Sequence, residues 1–177
     1  MRMERYVALL RGINVGGHRK VPMAGLRAVA AELGFEEIET YVASGNLVFG
    51  SDAAPDRLES MLEGAIAKRF GFPVDVIVRS ARQWREYRDA NPLPAKSEAE
   101  PNLVMICVGK AQATDADVER LRTQASEKEQ VERTGDAIWL YFGNGAGRSK
   151  LGTGASNGVW TTRNWRTLVK LAEMLGP

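Results

Sequence analysis

Apolar residues in this chain fall into short blocks whose spacing switches between the two-residue repeat of strands and the three-to-four-residue repeat of helices. The first block, Tyr6-Val7-Ala8-Leu9-Leu10, predicts a strand over about 4–11. Val21-Pro22 then opens a helix over 22–33 that stops at Gly34. Strands follow at 37–43 and 46–49, turning at Ser44-Gly45. Leu58, Met61, Leu62, Ala65 and Ile66 stand at helical spacing, so 55–70 reads as a helix closed by Gly71. Pro73 leads into a strand at 74–78. The succession is βαββαβ, the ferredoxin-like arrangement.

The pattern then partly repeats. A short helix at 80–88 and a polar, proline-containing linker at 91–101 precede a strand at 102–108 and a helix at 114–126. A hairpin of 128–134 and 137–142 turns at Gly135-Asp136, and a glycine-rich loop at 143–158 leads to a final helix at 162–175. This second set reads βαββα, the first half with its last strand missing. The expected fold is α+β: two ferredoxin-like halves, the second incomplete, with antiparallel-rich sheets and helices on one face. The expected division is 1–90 for the first half, 91–101 for the linker and 102–177 for the second, in one compact unit. Leu103 to Val108 is apolar on both strand faces. Something must therefore cover the helix-free face: the sister repeat, a second subunit or a ligand.

Composition narrows the class. Hydrophobic residues at 44% and charged residues at 26% of 177 are ordinary for a soluble domain. No apolar run approaches the ~20 residues of a membrane span. Arg2, Glu4, Arg5 and Arg11 leave no signal-peptide core at the start, and the one cysteine, Cys107, makes no internal disulfide; both fit the cytoplasm. One histidine without an acid or thiol cluster points to no metal and no cofactor. The net charge of +2 is unevenly spread: residues 1–31 balance at +5, 32–134 at −6 and 135–170 at +4. The acidic middle excludes a uniformly basic nucleic-acid binder.

The candidate chemistry lies in the basic ends. Arg11-Gly12-Ile13-Asn14-Val15-Gly16-Gly17-His18-Arg19-Lys20 follows the first strand. Gly16 and Gly17 accept positive φ and can turn successive N–H groups toward an anion, with the next helix pointing its positive end the same way. The spacing matches neither the dinucleotide fingerprint nor the Walker loop. The plainer reading is a connection that needs glycines for its path. Ser44-Gly45-Asn46 reads as a hairpin turn, near the first loop only if that loop folds back. Gly147-Arg148-Ser149-Lys150-Leu151 resembles an anion clamp or, equally, a solvated basic loop. Thr161-Thr162-Arg163-Asn164-Trp165 opens the last helix, with Thr as its cap and Arg163 set against the helix dipole. His18 reads as a loop residue and Cys107 as core. Trp139 and Tyr141 share a strand face suited to base stacking or, more commonly, to a homo-oligomer interface.

Together, Tyr6 to His18, Lys20-Val21-Pro22-Met23, Ser44-Gly45-Asn46, Gly147 to Leu151 and Thr161 to Trp165 resemble the bacterial domain of unknown function 1697 family over nearly the whole chain. The resemblance implies two α+β halves and no particular activity. The family's polar signature positions fall here on Arg11, Asn14, Gly16, Gly17, Lys20, Ser44, Asn46, Ser149, Lys150, Arg163, Asn164 and Trp165. Gly152 to Trp160 is shorter than the helix-like segment usual there. The leading expectation is a composite site for an anionic small molecule or nucleic-acid backbone. Arg11, Lys20, Arg148, Lys150 and Arg163 supply charge, and Asn14, Ser44, Asn46, Ser149 and Asn164 supply hydrogen bonds. The alternatives are a phosphoryl- or acyl-transfer enzyme, which lacks an evident base, and an oligomerisation module.

Overall fold

The computed structural model describes residues 3–151 and 158–177. The opening apolar block forms β1 (Glu4–Leu10), and α1 (Met23–Glu32) follows the glycine-rich loop. A hairpin of β2 (Glu36–Tyr41) and β3 (Asn46–Ser51), the helix α2 (Pro55–Phe70) and β4 (Val76–Ser80) complete an antiparallel sheet in the order β2-β3-β1-β4. α2 keeps its expected bounds: Pro55 sits where a missing N–H costs nothing, and Gly71 ends the helix at φ 83°. Next come α3 (Ala81–Asp89) and α4 (Pro94–Ala99), the latter within the stretch expected as linker. The second sheet has β5 (Val104–Gly109), β6 (Glu129–Thr134), β7 (Ala137–Phe142) and β8 (Trp160–Asn164) in the order β6-β7-β5-β8, again antiparallel. α5 (Asp115–Arg122) joins β5 to β6, and α6 (Trp165–Leu175) follows β8.

One expectation changes here. Residues 160–164, assigned to a loop and the first turn of the last helix, form a fourth strand paired to β5. Thr161 and Arg163 are buried on one side of it while Thr162 is exposed, a two-residue alternation no helix gives. The cap of α6 is accordingly Asn164 and not Thr161: the Thr167 N–H donates to Asn164 Oδ1 at 2.9 Å. Among the described residues, what the second half lacks is a counterpart of α2; a single 3-10 turn at Ala146–Arg148 stands after β7 instead.

The halves repeat in register. Val7 pairs with Val48 and Arg79 in the first sheet, as Ile106 pairs with Trp139 and Arg163 in the second. Tyr6 pairs with Ser80 as Met105 pairs with Asn164. Ser80 also caps its helix, accepting the Gln83 N–H at 3.2 Å while its own N–H donates to Gln83 Oε1 at 3.0 Å. Arg79 and Arg163 each donate to the carbonyl of the preceding residue, at 3.0 and 2.8 Å.

The chain divides into two compact units: residues up to Arg85 with Leu171–Pro177, and Glu86–Lys170. In the first, Ala8, Leu10, Leu47, Phe49, Val76 and Val78 pack under Leu26 and Val29 of α1 and Leu58, Leu62 and Ile66 of α2. Phe35 stacks on Phe49 with ring centroids 4.4 Å apart. In the second, Val131, Ile138, Leu140 and Phe142 pack with Val118 and Leu121 of α5 and with Leu151. Burial is not confined to the helix-covered faces: Val7, Leu9, Val48 and Ile77, and Ile106 and Trp139, are as buried as the cores. Among the described residues no helix is long and apolar enough to cross a membrane.

Candidate functional site

The glycine-rich segment closes on itself as a miniature hairpin. The His18 N–H donates to the Val15 carbonyl at 3.1 Å and the Asn14 N–H to the Arg19 carbonyl at 3.1 Å. The two central residues, Gly16 and Gly17, have φ of 59° and 76°, positive at both positions as a type I′ turn demands. Both are exposed, with open space where a Cβ would stand. Below the turn, Asn14 acts as a latch in the left-handed region. Its Nδ2 donates to the Val21 carbonyl at 3.0 Å and to the Ala43 carbonyl at 2.7 Å, and its Oδ1 accepts the Val21 N–H at 2.9 Å.

The latch folds the loop back onto the β2–β3 corner. Gly45 accepts the Leu10 N–H at 2.9 Å, and a Cβ there would lie 2.7 Å from Ile13 Cδ1. Arg11, Asn14, Gly16, Gly17, Lys20, Ser44 and Asn46 therefore gather at one end of the first sheet. Two of the amides expected to orient a ligand are, however, committed to the fold. Asn14 holds three backbone groups, and Asn46, fully buried, donates to the Tyr41 carbonyl at 2.9 Å and to Ser44 Oγ at 3.2 Å. Their role is to shape the loop backbone.

What faces solvent at this end is cationic and unexpectedly apolar. Arg11 pairs with Asp75 at 3.4 Å, both about half exposed, a pair of little energetic weight. Arg19 donates to the Pro73 carbonyl and lies 5.5 Å from the Phe72 ring centroid. His18 and Lys20 are exposed. Val15 is 68% and Val42 47% exposed, and Val42 holds φ 49°, a strained conformation for a β-branched residue. Sequence reasoning missed Arg19, Val42 and Asp75. No sequence signal marks Val42, which sits between Tyr41 and Ala43, and nothing local announces an Asp75 partner so distant in sequence.

The start of α1 differs from that of its counterpart in the second unit. Its cap position is Pro22, no side chain caps it, and its first turn holds no acid. Its counterpart α5 carries a full capping box: Thr114 Oγ1 accepts the Asp117 N–H at 3.3 Å while Asp117 accepts the Thr114 N–H at 2.9 Å. The Asp117 carboxyl sits below its ordinary range; burial opposes this, but the Thr114 hydrogen bonds and the Arg120 ion pair prevail. α5 supplies its own anion and α1 does not.

In the second unit the expected residues separate. Leu151 is buried in the core and anchors the preceding segment; Ser149 Oγ accepts the Leu151 N–H at 3.0 Å. Arg148 and Lys150 are exposed on either side of Ser149. Arg163 lies in β8, 7% exposed, donating to Thr161 Oγ1 and the Thr162 carbonyl at 2.8 Å each. Burial pulls its pKa down to about 10, still charged at neutral pH. Arg163 and Asn164 thus serve strand and cap. Trp139 is fully buried, its Nε1–H donating to Thr134 Oγ1 at 2.8 Å and its ring tilted against Trp165 at 6.0 Å. Tyr141 bonds Glu100 through its hydroxyl, and Lys96 Nζ lies 4.5 Å from its ring centroid. Both rings of the face expected to stack bases or a second copy are buried in the chain.

Acid–base machinery is sparse. His18 is exposed. Burial works to raise the Glu129 carboxyl, but hydrogen bonds from the Ser126 N–H and the Ser149 hydroxyl hold it low, which makes it a poor base for Ser149. Burial pushes the Cys107 thiol up to about 12, far from a nucleophilic thiolate. Among the described residues no group of three His, Cys, Asp or Glu could hold a metal.

Comparison with known proteins agrees with this picture of two similar halves. The solved structure of a conserved bacterial protein, SP0830 from Streptococcus pneumoniae, is similar over 98% of this chain and 99% of its own, with a TM-score of 0.77 and 28% identity. No curated protein matches. The family described as protein of unknown function (DUF1697) matches residues 3–139, more than half of the chain, so the protein belongs to that family.

Proposed function

We propose that the protein binds an anionic ligand, a nucleotide, phosphorylated metabolite or nucleic-acid backbone, at the glycine-loop end of its first unit. Lys20 and Arg11 supply charge, Gly16 and Gly17 bring backbone N–H groups close, and the start of α1 contributes its positive end. Asn14 and Asn46 hold the loop in shape. One observation carries this reading: α1 starts without a side-chain cap or an acid, after a loop holding Arg11, Arg19 and Lys20, whereas its counterpart α5 is capped by its own Thr and Asp. An anion at α1 fills the role that Asp117 fills at α5.

Thermal-shift titrations with adenosine triphosphate, glucose 6-phosphate and a short RNA test the proposal. A ligand raises the midpoint in proportion to the logarithm of its concentration above its dissociation constant. The shift should disappear in Lys20→Ala and Arg11→Ala and persist in Lys68→Ala, a change on the exposed face of α2. No saturable shift with all three compounds, or undiminished shifts in both loop variants, refutes the site.

A further inference from the structure

We infer that the glycine-loop end of the first unit docks onto an anionic lipid surface. Val15 and Val42 enter its apolar boundary, and Arg19 and Lys20 meet the headgroup phosphates. This partner rests on the anion-binding reading above for its charge, and it gives the exposed valines, which that reading leaves unused, a role.

Three loops form this end, and hydrogen bonds tie them together. Asn14 of the glycine loop holds the Ala43 carbonyl of the β2–β3 corner at 2.7 Å. The Arg11 N–H donates to the Asp75 carbonyl at 3.0 Å and the Arg19 side chain to the Pro73 carbonyl, both in the α2–β4 loop. Among the described residues, Val15 and Val42 are the exposed large apolar side chains, and both belong to this end. Single exposed apolar residues mean little, but Ala43 and Pro73 of the same loops are exposed too. Folding alone favours Gly or Asn at the φ of 49° that Val42 holds, so a β-branched side chain is kept there at a cost.

The charges at this end can be followed one by one. The three loops carry a single acid, Asp75, and it is paired with Arg11. Glu63, from the neighbouring α2, is turned to the Val76 N–H at 2.9 Å. Arg19 keeps its charge, since its bond is to a neutral carbonyl, and Lys20 is exposed. Two cations among exposed aliphatic side chains match the layers of a membrane interface, phosphate outside and hydrocarbon within. Valine has no ring to stack on a base, which disfavours nucleic acid as the occupant. The exposed turn at Gly16-Gly17, with open space at both glycines, is a tip suited to entering a surface.

Co-sedimentation of the full-length chain with lipid vesicles, run beside the thermal-shift titrations with free phosphate compounds, tests this. Vesicles of phosphatidylglycerol and phosphatidylcholine in equal parts should bind at least about tenfold more tightly than phosphatidylcholine alone, because each basic side chain near an anionic surface adds about fivefold. Val15→Ser combined with Val42→Asn should weaken vesicle binding by about tenfold and leave the thermal shifts with free phosphates unchanged. Asn tolerates the φ of Val42, so lost binding in this pair is not lost folding. Lys20→Ala should lower both readouts and Lys68→Ala neither. Undiminished vesicle binding in the valine pair, or equal binding to neutral vesicles, overturns the lipid surface and leaves the anion site standing. So do thermal shifts with free phosphates in a chain that ignores vesicles. A short RNA whose binding falls with the valine pair assigns the face to nucleic acid and likewise overturns it. Silence in both assays removes the anion site and the lipid surface together.

Discussion

The two units run the same four strands in the same register, yet the loops after their first strands have opposite characters. The β5–α5 connection is Lys110–Thr114, closed by a capping box and followed by Asp115 and Asp117. The β1–α1 connection is Arg11–Pro22, with a glycine turn, three Lys/Arg side chains and no side-chain cap at its helix. One loop satisfies the helix it leads into from its own sequence. The other builds a latched, exposed turn ahead of a helix with no side-chain cap. The strands are equivalent, so the difference lies in the loops: the first is longer and is latched to the β2–β3 corner through Asn14.

The largest test of the comparison concerns the equivalent buried arginines. Arg79→Ala and Arg163→Ala should each cost about 2–3 kcal/mol, through lost hydrogen bonds and lost packing of the side-chain stem. Denaturant unfolding of both variants measures this, and costs differing by more than about 1.5 kcal/mol would break the equivalence. Next come the two loops. Asn14→Ala should cost about 2 kcal/mol, because three backbone groups lose their partner and Ala tolerates a φ of 54° poorly. Thr114→Ala should cost about 1 kcal/mol, as the loss of a helix cap does.

A gain is expected from giving α1 what α5 has. Pro22→Asp should stabilise by about 0.5–1 kcal/mol and at the same time weaken the response to phosphate-bearing ligands, since the new carboxylate takes the anion's place. Stabilisation with an unchanged ligand response would detach α1 from the proposed site. The smallest effect is in acid. The folded Asp117 carboxyl lies below its unfolded value, so its contribution is present above about pH 4 and is lost as pH falls through the folded value. Asp117→Asn should remove that portion of the acid sensitivity in pH-dependent unfolding, and an unaltered acid profile would deny the cap its role.

Legibility differed between elements. α2 was readable at both ends because its signals, Pro55, the apolar stripe and Gly71, are local. β8 was not, because Thr161-Thr162-Arg163-Asn164 is also a fair helix start and only pairing with β5, more than fifty residues away, makes it a strand. The position of Gly16 and Gly17 in a tight turn follows from residue type alone. The meeting of that turn with Ser44-Gly45-Asn46 required the Asn14 bond to Ala43, which no spacing announces.

By itself the chain determined most of its strands and helices, where the backbone turns, and that cations collect at its two ends, because these depend on neighbours a few residues apart. Tertiary structure decided what each polar group has left to offer. Asn14 and Asn46 spend their amides on backbone, Arg163 disappears into a sheet, and Lys20, Arg148 and Lys150 stay in solvent. Residue type sets hydrogen-bonding capacity and charge, but only long-range packing sets whether that capacity is already used.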